Sequence, residues 1–383
     1  MKITFLIRSL DYGGAERQLV ALARELHRYG HSVAVLIFYS GGPLQQDLEK
    51  AGVPVISLEK RGRWDVLGFL GRLIRFLRRE RPDILHGYLV TANILTVLLK
   101  PLFPDIRMVW GVRVSNLDFT RYNRYMRLTH PVECRLSRFA DRIIVNSHAG
   151  SNYAISRGFP QEKTVVIPNG IDTERFRPDP ESGKPVRAEW GLSNDEKLIG
   201  LVGRLDPMKA HPTFLEAAAL LVRERKDVRF VCVGDGPADY RQELYALGKA
   251  LDLTKYLIWA GAREDMSAVY NALDLATSSS SFGEGFPNVV GEAMACGVPC
   301  VVTDVGDSAW IVRENGMVVP PSNPVKLMKA WSTLLNLPYK DYLTITKASR
   351  QHIINNYNLD VLYKKTFQAL LDLRPLKVNS KNK

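Results

Sequence analysis

Short β-rich apolar runs alternate with longer helical patterns along most of this chain, and this alternation constrains the fold more than any other feature. It is typical of parallel strands whose connecting helices cover both faces of a sheet. We predict strands near 2–7, 32–38, 53–58, 83–88, 107–113, 142–147 and 164–168, with helices near 15–29, 64–80 and 121–139. A second alternation starts at 197–203 and continues near 228–233, 256–260, 274–278 and 298–303. The sequence therefore predicts an α/β protein with two Rossmann-like, doubly wound parallel-sheet domains facing a central cleft.

The chain of 383 residues exceeds the usual size of a single hydrophobic core, which also favours two domains. The alternation breaks at turn residues near 168–172 and at the Pro-rich stretch 177–185, which is typical of a linker. We expect an N-terminal domain at 1–172, a linker at 173–190 and a C-terminal domain at 191–356. A helix near 359–372 is a candidate to pack back on the first domain, and 374–383 is expected to be a frayed tail.

Composition limits the protein class. Hydrophobic residues make up 46% and charged residues 24%, as in ordinary globular proteins, and no apolar run approaches the roughly 20 residues that span a bilayer. The four cysteines lack the paired spacing of a zinc site, so we expect reduced, mostly buried thiols in a cytosolic protein.

Charge is unevenly distributed between the two halves. Residues 1–170 hold 25 Lys or Arg against 14 Asp or Glu, a balance of +11, whereas residues 171–383 hold 27 against 26, a balance of +1. The first half is therefore expected to face an anionic partner.

Two predicted helices carry much of that positive charge. The stretch 62–80 combines a wide apolar arc with Arg72, Arg75, Arg78 and Arg79, as helices on anionic lipid do. An ordinary helix that packs on a sheet with a solvated cationic face explains the same pattern. The second helix carries Arg121, Arg124, Arg127, Arg135 and Arg138, which strengthens the membrane interpretation.

The segment 282–297 is the most informative one chemically, because Glu284 and Glu292 bracket a Gly-containing turn that leads into a helix-forming run. Two carboxylates at this spacing are suited to bind the hydroxyls of a nucleotide sugar. The intervening backbone N–H groups and the helix start are suited to its phosphates. A surface loop whose second Glu only favours a helix start is the alternative.

Other candidate residues follow strands, where open α/β sheets bind ligands. Arg204 and Lys209 lie in the loop after 197–203 and are suited to neutralise a diphosphate, although a solvated basic loop is possible. Gly14 belongs to a Gly-Gly turn before a helix, a weak signal for close approach to a phosphate. Gly234 and Arg263 end the next two strands and are candidate walls for a nucleotide base, with plain turns nearly as plausible.

In the first half, His86 and Arg113 end strands and are candidates for the acceptor side. A lone His is more often a hydrogen-bonded core residue than a catalytic one. Arg113 is costlier to place without a partner, which favours a role toward an acceptor or phosphate.

In order and spacing, these motifs resemble the retaining GT-B glycosyltransferases of family 4 over nearly the whole chain. The motifs are Gly13–Arg17, Ile167–Asp172, Gly203–Arg204 with Lys209, Gly234–Pro237 and the segment from Glu284 to Glu292. The resemblance implies a nucleoside-diphosphate sugar held mainly by the second domain and an acceptor held by the first. It implies that no catalytic metal or other cofactor is needed.

By the same resemblance, Arg204 and Lys209 hold the donor diphosphate, and Gly14 closes over the phosphates from the first domain. Glu292 holds the ribose hydroxyls. Glu284, with the backbone near Asn288 and Val289, holds the transferred sugar.

The sequence departs from the family pattern at three places. Arg113 stands about where the family often has a His near the reacting sugar. Lys209 is followed by Ala210 and His211 instead of the usual Gly or Asn, and the late Gly-Gly-x-x-Glu pattern is altered at 305–310.

These observations predict transfer of a sugar to an acceptor hydroxyl with retention at the anomeric carbon. The expected acceptor is a lipid-linked or cell-surface glycan intermediate, handled at the cytoplasmic face of the cell membrane. A nucleotide-sugar epimerase or isomerase is the alternative on the same fold. A nucleic-acid-binding protein that uses the basic half is a less favoured one, because the chain has no recognisable nucleic-acid module.

Overall fold

The computed structural model describes residues 1–62, 64–113, 115, 124–193 and 195–373, with backbone only at 124–128. The chain forms two compact units. The first contains Met1–Gly170 together with the segment that begins at Leu359, and the second contains Ile171–Asn358.

The first unit is built on a seven-stranded parallel sheet in the order β3-β2-β1-β4-β5-β6-β7. Its strands are β1 Lys2–Ile7, β2 Ser32–Ile37, β3 Val55–Ser57, β4 Ile84–Tyr88, β5 Arg107–Val112, β6 Arg142–Val145 and β7 Thr164–Val166. Its helices are α1 Gly14–Arg28, α2 Gln45–Lys50, α3 Val66–Glu80, α4 Leu89–Leu99, α5 Arg124–Leu136, α6 His148–Ser156 and α15 Leu359–Leu371.

The near-continuous apolar strands are explained by burial of this sheet on both faces. Along β1, Ile3 and Phe5 join the core beneath α1 and α15, whereas Leu6 joins the opposite core beneath α3 and α4. The alternation follows from the period of two in a strand. The prediction of a doubly wound sheet is confirmed for this unit.

The second unit repeats the arrangement with six parallel strands in the order β10-β9-β8-β11-β12-β13. Its strands are β8 Lys197–Val202, β9 Val228–Val233, β10 Leu257–Gly261, β11 Leu275–Ser278, β12 Cys300–Thr303 and β13 Met317–Val319. Its helices are α7 Pro180–Glu189, α8 His211–Glu224, α9 Ala238–Ala250, α10 Met266–Ala272, α11 Asn288–Ala295, α12 Ser308–Val312, α13 Pro324–Leu335 and α14 Tyr339–Tyr357.

The strand order places β8 beside β11 and reverses there, since β9 and β10 continue on one side and β12 and β13 on the other. Ligands of open α/β sheets bind outside the carboxyl ends of the strands at such a switch point. The loops after β8 and β11 are therefore the expected functional loops of this unit.

The structure corrects the predicted linker at 173–190, because this segment belongs to the second unit. Asp179 caps α7 by accepting a hydrogen bond from the Ser182 backbone N–H at 3.2 Å, and Pro180 occupies the first turn, where its missing N–H costs nothing. Gly183 packs so closely on the Asn271 carbonyl that a Cβ would lie 2.4 Å from its oxygen. The first unit ends at Gly170 instead of residue 172.

The helix predicted at 359–372 is α15, and it does belong to the first unit. Tyr363 stacks on Tyr29 of α1 with a centroid distance of 3.8 Å, and Leu370 is fully buried in the core beneath α1. The predicted tail at 374–383 lies outside the described residues.

The helix α3 packs as an ordinary core helix: Phe69, Leu73 and Leu77 are buried against the sheet. Its start leaves an apolar group exposed, with Trp64 and Leu67 each 85% accessible. In the second basic helix, Arg121 and the side chains of Arg124 and Arg127 lie outside the described residues.

None of the helices in the described part of the chain combines the length and hydropathy that a bilayer-spanning segment requires. All four cysteines are free, and three of them are buried, as predicted.

Candidate functional site

The loop after β8 is held in a defined shape by Asp206. One carboxylate oxygen accepts a hydrogen bond from the Met208 backbone N–H at 2.9 Å and so caps a short 3₁₀ turn at 207–209. Ala210 then adopts a left-handed conformation with φ +48°, which starts α8 immediately afterwards. The loop thereby places Lys209 between β8 and α8 at the switch point.

Glycines allow two neighbouring loops to contact this loop closely. Gly234 has φ +141°, and a Cβ there would lie 2.0 Å from the Gly203 carbonyl oxygen. Gly283 has φ +76°, and a Cβ there would lie 2.8 Å from the Met208 sulfur. Gly234 therefore has a packing role, and it lies in the second unit beside the loop that carries Lys209.

The loops after β8 and β11 are joined by a buried ion pair. The Lys209 Nζ contacts Glu284 Oε1, and the two side chains are only 17% and 8% exposed. Ser280 donates its hydroxyl hydrogen to the same carboxylate oxygen at 2.6 Å. Lys209 and Glu284, which were predicted to act in one site, thus contact each other directly although they are 75 residues apart in the sequence.

Three further contacts fix the loop that carries Glu284. Ser281 donates its backbone N–H to the Met208 carbonyl at 2.9 Å, and Thr303 donates its hydroxyl to the Ser280 carbonyl at 2.6 Å. A Cβ on Gly306 would lie 2.5 Å from the Glu284 carbonyl oxygen, so the loop after β12 also lies directly against it. The altered late motif at 305–310 therefore packs against the backbone of Glu284.

The second predicted carboxylate, Glu292, lies in the middle of α11 and is buried. The Tyr270 hydroxyl donates to its Oε2 at 2.8 Å, which fixes the direction of the carboxylate. Asn288 and Val289 form the first turn of the same helix and are half-buried. Their backbone groups lie at the positive end of the helix, where an anionic group is stabilised.

The two predicted arginines of this unit lie in different surroundings. Arg204 is 69% exposed and contacts Asp206 at 2.7 Å, so it remains accessible next to Lys209. Arg263 instead binds Glu189 at 2.5 Å and Asp265 at 2.7 Å, and these hydrogen bonds raise its pKa. This ion-pair network links α7 to the loop after β10 and engages the guanidinium of Arg263, while a role for this turn beside a nucleotide base stays a prediction.

His211 was noted in the sequence only as a departure from the family pattern, and the structure buries it completely at the start of α8. Burial lowers its pKa to about 4, with a smaller contribution from Lys209. Neither ring nitrogen has a hydrogen-bond partner within the described residues. The imidazole is thus neutral at physiological pH.

Gly14 begins α1 in the first unit and is exposed, after Gly13 in an extended conformation. Burial raises the pKa of the nearby Glu16 carboxyl above its usual value. Gln18, one turn further along α1, contacts Gly170, the last residue of the segment Met1–Gly170. Its side-chain amide donates to the Gly170 carbonyl and accepts from the Gly170 backbone N–H, both at 2.9 Å. A role for Gly14 at a phosphate stays a prediction.

The two acceptor-side candidates of the first unit differ in accessibility. His86 lies in the middle of β4 with no exposed surface, packed on Phe5 and Tyr88, and burial lowers its pKa well below its usual value. It is a core residue in this structure, contrary to the expectation that it faces an acceptor.

Arg113 follows β5 and is partly exposed. It donates to the Tyr88 hydroxyl at 2.6 Å and to Asn169 Oδ1 at 3.1 Å, and its guanidinium lies 4.7 Å from the Tyr88 ring centroid. The structure therefore orients this cation with neutral partners. Only Arg113 of the two remains a candidate for contact with a ligand.

Sequence reasoning missed Ser280, Tyr270 and Thr303, which fix the two carboxylates. Tyr270 and Thr303 contact residues more than 20 positions away, and Ser280 lies four residues before Glu284 in the same loop without a motif that marks it. No group of three or more His, Cys, Asp or Glu side chains that could hold a metal occurs among the described residues.

Comparison with known proteins gives matches in both units. Residues 12–175 match the family described as Glycosyltransferase Family 4, and residues 196–337 match the family described as Glycosyl transferases group 1. A D-inositol 3-phosphate glycosyltransferase of Thermobispora bispora is 31% identical over 367 residues, which cover 86% of this chain and 83% of that protein. Several relatives of the same name match over shorter stretches, and the chain covers 40% to 53% of their length.

Two other similarities concern proteins whose names or bound molecules include a uridine diphosphate. The Escherichia coli UDP-Gal:alpha-D-GlcNAc-diphosphoundecaprenol alpha-1,3-galactosyltransferase is 26% identical over 75% of this chain and 74% of its own length. The crystal structure of Anabaena HepE in complex with UDP and glucose superposes with a TM-score of 0.85 at 24% identity, covering 97% of this chain and 99% of HepE. At this identity the superposition shows a shared fold.

Proposed function

Because this chain belongs to glycosyltransferase family 4 and has the GT-B fold, we propose that it transfers a sugar with retention from a nucleoside-diphosphate donor to a lipid-linked glycan acceptor. One observation carries the donor part of the proposal. The second unit brings Lys209 and Glu284 into contact at its switch point, with Arg204 accessible on the same loop. A diphosphate and a sugar need this combination of cations and a carboxylate.

The ion pair suggests how the site accepts a donor. In the free protein Glu284 balances the charge of Lys209. When a diphosphate binds, Lys209 exchanges the carboxylate for phosphate oxygens, and Glu284 becomes available to accept hydrogen bonds from sugar hydroxyls. Ser280 keeps the carboxylate in place during this exchange. Glu292, oriented by Tyr270, is suited to the ribose hydroxyls.

The chemical step breaks the bond between the anomeric carbon and the diphosphate oxygen and forms a bond to the acceptor oxygen. Positive charge grows on the sugar and negative charge on the leaving diphosphate, so Lys209 and Arg204 stabilise the transition state more than the ground state. The acceptor proton passes to the departing phosphate oxygen on the same face, which retains the configuration. In this scheme the two cations carry out the charge neutralisation that a metal provides in other enzymes.

The acceptor assignment rests on a relative and on charge. The Escherichia coli relative is named for a diphosphoundecaprenol-linked substrate. The excess of positive charge in residues 1–170, 25 basic against 14 acidic residues, is suited to an acceptor with a diphosphate. We assign the enzyme to cell-surface polysaccharide assembly on this basis.

The test is product formation from a panel of UDP-, GDP- and ADP-sugars with N-acetylglucosaminyl diphosphate carrying a short prenyl chain. We expect one donor to give a product with the anomeric configuration of the donor, assigned by NMR. An inverted product would contradict retention. Conversion of the donor to an isomer without acceptor would instead indicate the epimerase alternative.

The start of α3 supports contact with a membrane. Trp64, Val66 and Leu67 are exposed next to Lys60 and Arg61, an apolar group with a cationic border. Aromatic and basic residues in this arrangement bind the interface of anionic bilayers. We place the protein at the inner face of the cell membrane on this basis.

Co-sedimentation with vesicles that contain anionic phosphatidylglycerol tests the membrane contact. The double variant W64S/L67S should sediment several-fold less than the wild type at low salt, because most of the exposed apolar group is lost. The matched control is Tyr339→Ser, which removes an exposed aromatic residue of the second unit. Equal sedimentation of W64S/L67S and the wild type would refute this contact surface.

A further inference from the structure

A cavity in the first unit has no role in the donor chemistry described above. Its total empty volume, which includes the space open to solvent, is about 430 Å³, and it is lined by residues of α4, α5, α6 and the end of β5. Val90, Val112, Ala154 and Phe159 give it apolar walls. Leu89, the first residue of α4, also lines the cavity. Its φ of +69° is a left-handed backbone conformation that is costly for a residue with a branched side chain.

The cavity carries one uncompensated positive charge. Arg113 lines it and has only the neutral partners Tyr88 and Asn169, with no carboxylate within ion-pair distance among the described residues. The other charges at its wall balance each other: His130 lies 3.6 Å from Glu133 within α5, and the Asn93 amide donates to the same carboxylate at 3.0 Å.

Three buried polar atoms at the wall have no partner among the described residues. They are Arg113 Nε, Asn93 Oδ1 and the Tyr153 hydroxyl oxygen, and Asn93 is fully buried. Buried polar groups in proteins are nearly always satisfied by protein, water or ligand. An apolar cavity with unsatisfied polar atoms and one uncompensated cation is suited to a ligand that is anionic at one end and apolar at the other.

We infer that this cavity binds the prenyl diphosphate part of the acceptor, with the phosphate at Arg113 and the first isoprene unit between Ala154, Val90 and Phe159. The inference rests on the proposed function and makes it more specific, because it assigns the lipid part of the acceptor to a defined site. It also explains why an arginine stands at 113, where the family often has a histidine: a permanently charged guanidinium binds phosphate bidentately.

Isothermal titration calorimetry with farnesyl diphosphate tests the inference, with pyrophosphate and farnesol as separate probes of its two ends. We expect farnesyl diphosphate to bind at least tenfold more tightly than either probe, since both the charge and the apolar burial contribute. Lysophosphatidate provides the same chemistry on an acyl chain, and binding as tight as that of farnesyl diphosphate would overturn the assignment to a prenyl acceptor.

Two variants locate the binding in the cavity. Ala154→Leu fills the space and should weaken farnesyl diphosphate binding at least tenfold, whereas Arg113→Met should weaken it to a similar extent but leave farnesol unaffected. The matched control is Ala246→Leu at an exposed position of α9 in the second unit, which should change nothing. Should Ala154→Leu unfold the protein, Val90→Phe narrows the same cavity from a half-buried position.

Unchanged affinity in the folded cavity variants, or farnesyl diphosphate binding no tighter than pyrophosphate, would refute the inference. Nucleotide-sugar binding by the same samples separates this result from the function as a whole. Binding of a nucleotide sugar without binding of farnesyl diphosphate would be compatible with the proposed function and would refute this site. Binding of farnesyl diphosphate alone would support the site and would contradict the proposed function.

Discussion

The contact between Lys209 and Glu284 predicts that stability and activity respond differently to the same substitutions. Lys209→Met removes the cation that contacts Glu284, a carboxylate whose side chain is only 8% exposed. Breaking a buried pair in this way costs about 3–5 kcal/mol. Ser280 still donates to the carboxylate at 2.6 Å, so we expect the lower end, about 3 kcal/mol.

Glu284→Gln should cost less, about 1–2 kcal/mol, because the long Lys209 side chain can turn its ammonium group toward water. In the double variant both charges of the pair are removed, and the loss should return to about 1 kcal/mol. The singles are then non-additive by about 3 kcal/mol. For a unit that spans residues 171–358, each kcal/mol shifts the melting temperature by about 2–4 °C.

Thermal unfolding of the four proteins measures the stability terms, and release of nucleoside diphosphate from the donor measures turnover. All three variants should lose turnover about 100-fold or more, because each lacks a group that we propose to contact the donor. The double variant should therefore regain stability without regaining activity. Lys249→Met, at an exposed position of α9, is the matched control and should change neither quantity.

Two outcomes would refute this reasoning. Additive stability losses in the double variant would show that the two side chains are not coupled in solution. Wild-type turnover in Lys209→Met would show that the cation does not stabilise the leaving diphosphate.

Three further predictions concern the surroundings of this pair. Tyr270→Phe removes the hydrogen bond that orients Glu292 and should raise the donor KM about three- to tenfold with little change in kcat, measured by steady-state kinetics. Gly234→Ala forces a Cβ to within 2.0 Å of the Gly203 carbonyl oxygen, so a lower melting temperature and loss of donor binding are expected, and a wild-type melting curve would contradict this packing. His211→Gln should reduce the acid sensitivity of folding. The pKa of His211 in the folded state, about 4, lies below the usual 6.5, so the unfolded state binds more protons between these values and the free energy of unfolding decreases as the pH drops from 6.5 to 4. This decrease should reach up to about 3 kcal/mol for this group in the wild type, and urea titrations of the variant should not show it.

The sequence predicted the sheets well because their strands are apolar runs bounded by turn residues. The strands β1 and β9 match the predicted spans, and β8 ends one residue earlier than predicted. The short strand β13 was missed, since its three residues carry too little pattern.

The linker was the main error in the fold, although a signal against it was present. A run of prolines reads as a linker, but Asp179 followed by Pro180 is also a helix start, and α7 begins there. Proline at the first turn of a helix and proline in a flexible segment cannot be distinguished by composition alone. Burial of Gly183 on the Asn271 backbone decides between them, and that contact spans 88 residues of sequence.

The proximity of Lys209 and Glu284 agrees with the sequence, since each lies in a loop after a strand, one after β8 and one after β11. The surroundings of a side chain were not predictable where its contact partner is distant in the sequence. The turn with Arg263 was predicted to line a nucleotide base, but the sequence did not show the contact of its guanidinium with Glu189, 74 residues away. Tyr270, which fixes Glu292, lies in a helix without any motif.

The most direct test of the account is calorimetric titration of nucleoside diphosphates into the wild type and into Lys209→Met, in the presence of a chelator. We predict that one of UDP, GDP or ADP binds the wild type at one site per chain and binds Lys209→Met at least tenfold more weakly. Absence of binding by all three nucleotides, or equal affinity for the two proteins, would contradict the claim that the second unit holds a donor diphosphate at Lys209.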